Sequence, residues 1–357
     1  MVLSIGCCVL SSVGSGCVLR KETITVARDT SVVVELKYEG PKEEIASGDA
    51  MPSEASGWSV ERSEKKEDNE VKQVLTSRRR FAPGEALPRT YAAAGDPETD
   101  LYLDFPTQVW TQQRADGVYY YFRRVYTPRR WGYVRYWYDA MFEDGDLKRL
   151  KDKPVEELTM KERAKLAKAL ASVEAMKQIE FGKAAFTESL ADRPPEVWLR
   201  ARQALLDVYK QDDYFEGVVD RCEPLAEADR AACFETEAKK LLARGFDEMI
   251  GTLEQQGLSE AQIERFRRAY EHEKRYYQIT ESLGGHLFSI TVRMPGTIIA
   301  HNALDEEVEE EGNGVSSIEF EFDGKAFRDR PMEILVVSRV GPTDDKGGNA
   351  NRERGSR

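Results

Sequence analysis

The 357-residue sequence is poor in the residues that form common catalytic centres. Its three histidines are His272, His286 and His301, and none lies in an HExxH motif or another metal-ligand spacing. The motifs GxSxG, GxxxxGK[ST] and GxGxxG are absent from it. These absences exclude the enzyme classes that depend on those motifs. We therefore lean towards a non-enzymatic protein, and we expect neither a cofactor nor a metal.

Two further shortages concern charge and long apolar runs. The formal net charge is −12, and such an excess of acid opposes binding to nucleic acid, which requires basic surface to displace counterions from phosphate. No stretch of about 20 apolar residues is present, so the sequence predicts no membrane-spanning helix.

The first seventeen residues form a short apolar segment without a charged side chain. Residues 2–13 can serve as the apolar core of an export signal, and Gly14, Ser15 and Gly16 are the small residues before Cys17. This segment resembles a bacterial lipobox. The resemblance implies that the Cys17 thiol is acylated and anchors the chain to a membrane, facing the periplasm or the exterior of the cell envelope.

The leader departs from the lipobox pattern at two points. Gly14 stands where Leu, Val or Ile is usual, and no Lys or Arg precedes Arg20. A true start codon upstream would account for the missing basic residues. Cys7 is a second candidate for acylation, although it leaves almost no apolar core before it. The alternative interpretation is that residues 1–17 form a buried strand or helix.

Cysteine is scarce after the leader, where Cys222 and Cys233 are the only pair. An isolated pair in an exported protein favours a disulfide. Pro224 marks a turn and Ala226 begins a helical pattern, which would place Cys233 about two turns into that helix. The sequence therefore predicts a Cys222–Cys233 disulfide, with two buried free thiols as the alternative.

Residues 18–128 have the alternation typical of β-strands. In residues 31–38, Val32, Val34, Leu36 and Tyr38 share one face, which is the pattern of a half-buried strand. Further strands are predicted near 56–64, 70–81, 101–113 and 117–127. Asp116-Gly117 predicts a hairpin between the last two, because both residues tolerate positive φ.

From residue 129 to residue 284 the apolar period becomes helical. Thr159 with Glu162, and Ser259 with Gln262, are spaced as capping boxes, and Pro195 can open a further helix. The sequence predicts about five helices joined by short turns.

Strands return over residues 285–340, where Phe288, Ile290, Val292 and Met294 alternate with polar residues. Residues 341–357 contain no core-forming side chain, and we expect them to be disordered. The predicted fold class is therefore α+β: one antiparallel sheet built from N-terminal and C-terminal strands, interrupted by a helical insertion.

Arginine and aromatic residues are densest between residues 114 and 138. Their side chains can stack on sugars and pair with phosphates, so this region is the candidate contact surface. The structural alternative is that the aromatics are core residues covered by arginine stems. The surface is assigned to Arg123, Arg124, Arg129, Arg130, Trp131 and Trp137.

Residues 305–311 contain six carboxylates, which could hold Ca²⁺. The ordered acid spacing and turn glycine of a calcium loop are absent, so the sequence favours a solvated hairpin loop.

The segment 288–302 resembles part of the LppM-type domain of bacterial lipoproteins. In that domain a strand reaches a Pro-Gly, crosses a few apolar residues to an Asn and returns as another strand. Pro295, Gly296 and Asn302 match, while the Trp common on the returning strand is replaced around Ile318. The resemblance covers some 50 residues. It implies an envelope-associated α+β domain with inserted helices and no established catalysis.

These features together predict an exported, lipid-anchored envelope protein that acts as a binding or interaction module. Its partner would be an anionic lipid, a glycan or an envelope protein, and not nucleic acid. The alternative is an envelope hydrolase or lipid-transfer protein with a site between sheet and helices. On the first interpretation, replacing Arg123, Arg124, Arg129 and Arg130 with Ser abolishes binding and leaves thermal stability nearly unchanged.

Overall fold

A computed structural model describes residues 18–67, 70–130, 138–143, 145–154, 157–304 and 307–342. The predictions about Cys7, Cys17 and residues 343–357 lie outside the described residues. The described chain forms eleven strands and seven α-helices, so the predicted α+β class is confirmed. It divides into two compact units. The sheet unit joins the described residues from 18 to Arg129 with those from Ser282 to residue 342, and the helical unit comprises the described residues between Arg130 and Glu281.

The larger sheet of the sheet unit has seven strands in the order β3-β4-β2-β1-β7-β10-β9. Its strands are β1 (Leu19–Val26), β2 (Val32–Pro41), β3 (Ser59–Glu67), β4 (Glu70–Phe81), β7 (Leu287–Pro295), β9 (Glu309–Gly312) and β10 (Val315–Asp323). The short helix α1 (Lys42–Ser47) follows β2.

One pairing in this sheet differs from the purely antiparallel prediction. Strands β1 and β7 run parallel, with Leu19 opposite Leu287 and Ile24 opposite Val292. Parallel neighbours require a long crossover, and here the whole chain from the end of β1 to Leu287 supplies it. The N-terminal and C-terminal strands therefore do share a sheet, but the sheet is mixed.

The remaining strands form a second, four-stranded sheet in the order β5-β6-β11-β8, where one sheet was predicted. Its strands are β5 (Thr107–Arg114), β6 (Gly117–Tyr126), β8 (Thr297–His301) and β11 (Met332–Val340). Gly296 joins β7 to β8 at φ +81°, which favours glycine. A Cβ there would lie 2.2 Å from the Arg339 carbonyl oxygen. This corner lets the chain pass from one sheet to the other.

The helical unit contains α2 (Gly145–Asp152), α3 (Met160–Ser189), α4 (Pro195–Tyr209), α5 (Asp212–Cys222) and α6 (Glu227–Gln255). The helix α7 (Glu260–Gly284) begins here and ends in the sheet unit. The predicted capping box is formed, since Thr159 accepts from the Glu162 backbone N–H and the Glu162 carboxylate accepts from that of Thr159. The core of this unit includes Ile179, Trp198, Leu205, Met249 and Phe266.

The predicted disulfide between Cys222 and Cys233 is confirmed. It joins the end of α5 to the first turns of α6, with the two Cα atoms 5.6 Å apart. Cys222 packs in a small core cluster with Val218, Val219 and Phe234. The bond therefore fixes the α5–α6 corner inside an apolar cluster.

Candidate functional site

The outer face of the four-stranded sheet presents an aromatic pair to solvent. Trp110 on β5 lies opposite Tyr121 on β6, which in turn lies opposite Val337 on β11. The Trp110 and Tyr121 rings stack with centroids 4.9 Å apart and an angle of 3° between their planes. Trp110 is 41% exposed. We call this surface, formed by Trp110, Gln112, Arg114, Tyr121 and Arg123, the aromatic face.

Polar side chains hold the aromatic face in one arrangement. The Gln112 Oε1 atom accepts hydrogen bonds from Arg114 Nη2 at 2.7 Å and from Tyr121 Oη at 3.1 Å. Arg114 Nη2 also donates to Tyr121 Oη at 2.8 Å. Because the Tyr121 hydroxyl is held by two hydrogen bonds, the exposed indole of Trp110 stacks on a fixed ring.

The hairpin end of this face is charged. Tyr119 donates a hydrogen bond to Asp116 Oδ2 at 2.6 Å, and Arg339 pairs with the same oxygen at 3.1 Å. The Tyr119 hydrogen bond and then the Arg339 contact lower the pKa of Asp116. Asp116 therefore stays ionised, and the rim can offer both a carboxylate and guanidinium groups to a ligand.

Two of the predicted surface arginines are buried, which corrects their assignment. Arg124 is 1% exposed and Arg129 is 2% exposed. The reason is strand alternation: Arg123 and Arg124 are neighbours on β6 and therefore point to opposite faces of the sheet. Only Arg123 lies on the aromatic face, where its guanidinium pairs with the exposed Glu333 carboxylate.

The other predicted surface residues are not placed on the aromatic face. Arg130 belongs to the helical unit, where its exposed guanidinium binds both carboxylate oxygens of Glu273 at 3.0 and 3.1 Å. Trp131 and Trp137 lie outside the described residues. Of the six predicted residues, Arg124 and Arg129 are therefore buried, and Arg123 and Arg130 each form an exposed ion pair. The other two lie outside the described residues.

Arg124 belongs to an ion-pair cluster beneath the aromatic face, whereas Arg129 Nη1 donates to the Tyr102 carbonyl oxygen at 3.2 Å. Glu22 Oε1 accepts from Arg124 Nη1 at 2.8 Å and from Tyr91 Oη at 2.7 Å. Arg20 Nη1 donates to Asp49 Oδ2 at 3.2 Å, and the other oxygen of Asp49 accepts from the Leu103 backbone N–H. We call Arg20, Glu22, Asp49, Tyr91 and Arg124 the buried cluster.

Aromatic rings enclose the Arg20 guanidinium of this cluster. Its Cζ atom lies 5.0–5.4 Å from the centroids of four rings, those of Tyr38, Tyr91, Phe105 and Phe288. Burial raises the pKa of Asp49, although the positive charge of Arg20 opposes that shift. Since these charged groups are sealed from solvent, their contacts are with one another and with the surrounding core of the sheet unit.

Sequence reasoning missed both Trp110 and the Arg20–Glu22 pair, although each leaves a signal. Counting back from an Asp116-Gly117 turn pairs residue 110 with residue 123, which already places Trp110 on the same sheet face as Tyr121, although the structure pairs it with Tyr121 itself. On β1, Arg20 and Glu22 fall on the same alternating face as the apolar Ile24 and Val26. Two opposite charges on a buried face indicate an internal ion pair.

The described residues of each unit form an open groove. In the sheet unit a groove of about 510 Å³ runs beside β5. In the helical unit a groove of about 620 Å³ lies at the α6–α7 turn, where Glu254, Glu260 and Glu264 surround Leu258 and Ile263. The first is continuous with the aromatic face, because Trp110 lines it.

The described residues contain no group of three or more His, Cys, Asp or Glu side chains that could hold a metal ion. Of the predicted acidic loop, residues 305 and 306 lie outside the described residues, and 309–311 form the exposed strand β9. Glu311 there pairs with Arg293 at 2.8 Å. No helix in the described ranges is long and apolar enough to cross a membrane.

Comparison with known proteins assigns no family to this chain. No family model matches the sequence, and no curated protein matches it. Among solved structures, the chain is similar to the NMR structure of the folded domain of the Mycobacterium tuberculosis LppM protein. The identity is 9%, the match covers 92% of this chain and 93% of that chain, and the TM-score is 0.25. At that score, no conclusion about this chain is drawn from the similarity.

Proposed function

We propose that this chain is an exported, lipid-anchored protein of the cell envelope that acts by binding. Its contact surface is the aromatic face, and its partner is an envelope component or an envelope protein. The observation that carries the binding role is the exposed Trp110 ring stacked on Tyr121 in a rim of hydrogen-bonding side chains. A large exposed aromatic on a rigid support is the kind of residue that dominates binding energy at interfaces.

The location outside the cytoplasm has two supports. The leader residues before Cys17 carry the pattern of a lipoprotein export signal. The disulfide between Cys222 and Cys233 is of a kind that persists in oxidising compartments and is rare in the cytosol.

Two described carboxyls with raised pKa values could have served a hydrolase, but both are engaged internally. Burial raises the pKa of Asp49 and of Glu174. Asp49 pairs with Arg20, and Glu174 pairs with Lys177 at 3.0 Å inside the helical unit. Neither carboxyl lines either of the grooves described above, so neither supports a hydrolytic site there.

The binding role is tested by sedimenting the purified protein with isolated bacterial envelopes. Trp110→Ala is expected to weaken binding more than tenfold, as truncation of a central aromatic contact does. The matched control is Leu199→Ala, which truncates a side chain of the helical unit that is also exposed. Equal binding by wild type, Trp110→Ala and Leu199→Ala would overturn the assignment of the aromatic face.

A further inference from the structure

The outer edge of β5 carries backbone groups that no described chain segment pairs with. The Val125 N–H donates to the Pro106 carbonyl at 3.1 Å, so the pair 106/125 is hydrogen-bonded. Because hydrogen-bonded pairs alternate along an antiparallel ladder, Gln108, Trp110 and Gln112 also bond to β6. The N–H and C=O groups of residues 107, 109, 111 and 113 therefore point to the open edge.

Just before β5 begins, the outward side of the chain is already paired with another segment of this protein. The Phe105 N–H donates to the Arg89 carbonyl at 2.6 Å, on the side of the chain that faces away from β6. Arg89 is fixed there by its paired contacts with Asp104 at 2.9 and 3.0 Å. The loop before Arg89 thus occupies the edge at residue 105 and leaves it free from residue 107 onward.

The groove beside β5 begins where that loop departs. It has a volume of about 510 Å³, which is in the size range of ligand pockets. Its lining combines the apolar side chains of Ala86, Leu87 and Trp110 with the polar side chains of Thr30, Thr107 and Gln108. The Glu85 carboxylate in its wall accepts hydrogen bonds from the Ala82 N–H at 2.8 Å and from Arg79 Nη2 at 2.9 Å, so its negative charge is compensated. The groove therefore suits an uncharged side chain.

The three other sheet edges of the described residues are protected against strand addition. The edge strand β3 has charged residues at most of its positions, and β9 consists of three glutamates and a glycine. The edge strand β8 has five residues, and its pairing with β11 contains a register shift. Charges, short length and irregular pairing are the usual means of blocking an edge. From Thr107 to Gln113, β5 has none of these features.

We infer that the β5 edge and its groove bind an extended, uncharged peptide segment of a partner protein by strand addition. This inference rests on the proposed binding function and names its partner class. Backbone groups of residues 109 and 111 hydrogen-bond the peptide, and the groove takes one of its uncharged side chains. A second copy of this chain fits less well, because it would bring a whole hairpin and its own 82–89 loop to the same edge.

The test uses the full chain and a displayed library of random twelve-residue peptides. Selected peptides are synthesised, and their affinities are measured by fluorescence anisotropy. Thr111→Pro removes an outward N–H without breaking a bond to β6, which is where edge strands tolerate proline. We expect Thr111→Pro and the groove-filling Ala86→Arg each to weaken peptide binding at least tenfold, and Thr111→Val to leave it unchanged. Hydrogen exchange should show new protection at the amides of residues 109 and 111.

Other outcomes separate this inference from the proposed function. If no neutral peptide is selected, or if Thr111→Pro binds the selected peptides as wild type does, strand addition is wrong. If Trp110→Ala still loses envelope binding while Thr111→Pro keeps it, the aromatic face binds another ligand and only this inference fails. Self-association that depends on the β5 edge, seen by sedimentation velocity, would replace the peptide with a second copy.

Discussion

Neighbouring arginines of β6 have different roles because consecutive strand residues face opposite sides of a sheet. Arg123 pairs with Glu333 in solvent, whereas Arg124 pairs with Glu22 inside the sheet unit. The sequence shows two adjacent arginines among aromatics, and period-2 alternation already implies that only one can lie on the outer face. Which one is exposed depends on the position of Glu22, about 100 residues earlier in the chain.

The two arginines therefore differ in their effect on stability. Arg124→Ser leaves Glu22 buried without its guanidinium partner, and we expect it to lower the free energy of unfolding by about 3–5 kcal/mol. The matched change Arg123→Ser removes a surface pair and should cost less than about 1 kcal/mol. Urea unfolding of both variants measures the difference. If Arg124→Ser also lost less than about 1 kcal/mol, the Arg124–Glu22 pair would not be structurally important, and the sequence-based expectation of nearly unchanged stability would hold.

His286 gives the sheet unit a dependence on pH. Burial and then the charge of Arg20 lower the pKa of His286 to about 3. Its Nε2 atom lies 3.4 Å from Ser282 Oγ, and its ring lies beside Phe288. In the unfolded chain the same imidazole titrates near pH 6.5. The unfolded state therefore binds a proton first as the pH falls, and stability present above about pH 6.5 is lost on acidification.

Between pH 6 and pH 5 this loss should approach about 1.4 kcal/mol per pH unit. Most carboxylates titrate below that window. Urea unfolding of the wild type and of His286→Gln at pH 7, 6 and 5 measures it. The variant should lose most of this slope, while His301→Gln should keep it. An unchanged slope in His286→Gln would place the titrating group elsewhere.

At the scale of elements, local signals predicted the start of helices and the pairing of hairpins well. The Thr159–Glu162 capping box lies where α3 begins, and Pro195 opens α4. The β5–β6 hairpin forms too, although its two turn residues are Ala115 and Asp116. Gly117 then begins β6 at φ +141°, so only the glycine uses the positive φ that the pattern predicted.

The Pro-Gly and Asn of the segment 288–302 have structural roles that the sequence did not show. Gly296 turns the chain from β7 into β8. The Asn302 side chain accepts from the Leu335 N–H and donates to the Glu333 carbonyl, both at 2.8 Å. It thereby continues the pairing of β8 with β11 past the end of the strand. These contacts depend on a strand 30 residues away in the sequence, so spacing alone could not reveal them.

The Cys222–Cys233 disulfide stabilises the α5–α6 corner. Closing a loop of this size should contribute about 2–3 kcal/mol. We expect the double variant Cys222→Ala/Cys233→Ala to lose that amount in denaturant unfolding. Adding reductant should lower the stability of the wild type and leave the double variant unchanged. A wild type that is insensitive to reductant, with free thiols detected by mass spectrometry, would contradict the disulfide.

For the whole molecule, the anchor at Cys17 is the prediction with the largest consequence. We expect intact-mass analysis of the membrane fraction to find a chain that begins at Cys17 and carries acyl groups. Cys17→Ser should give an unacylated chain, and Cys7→Ser should be processed as the wild type is. An unprocessed chain in the soluble fraction would contradict the anchor.

The division of the strands between two sheets could not be predicted from alternation, because residues of either sheet show the same period. Ile290 in β7 and Val336 in β11 are both fully buried, yet they belong to different sheets. What separates them is the corner at Gly296 and the parallel contact of β1 with β7. Both depend on residues that are distant in the sequence.

The parallel pairing of β1 with β7 also determines when the larger sheet can be completed. Leu19 meets Leu287 only after the intervening chain has been synthesised. Contacts between such distant residues form slowly, because closing the loop costs entropy before the contacts that stabilise it can form. Until then one edge of β1 stays open and able to pair wrongly with other chains. A nascent chain halted before residue 287 is therefore a form of this protein that is prone to aggregate.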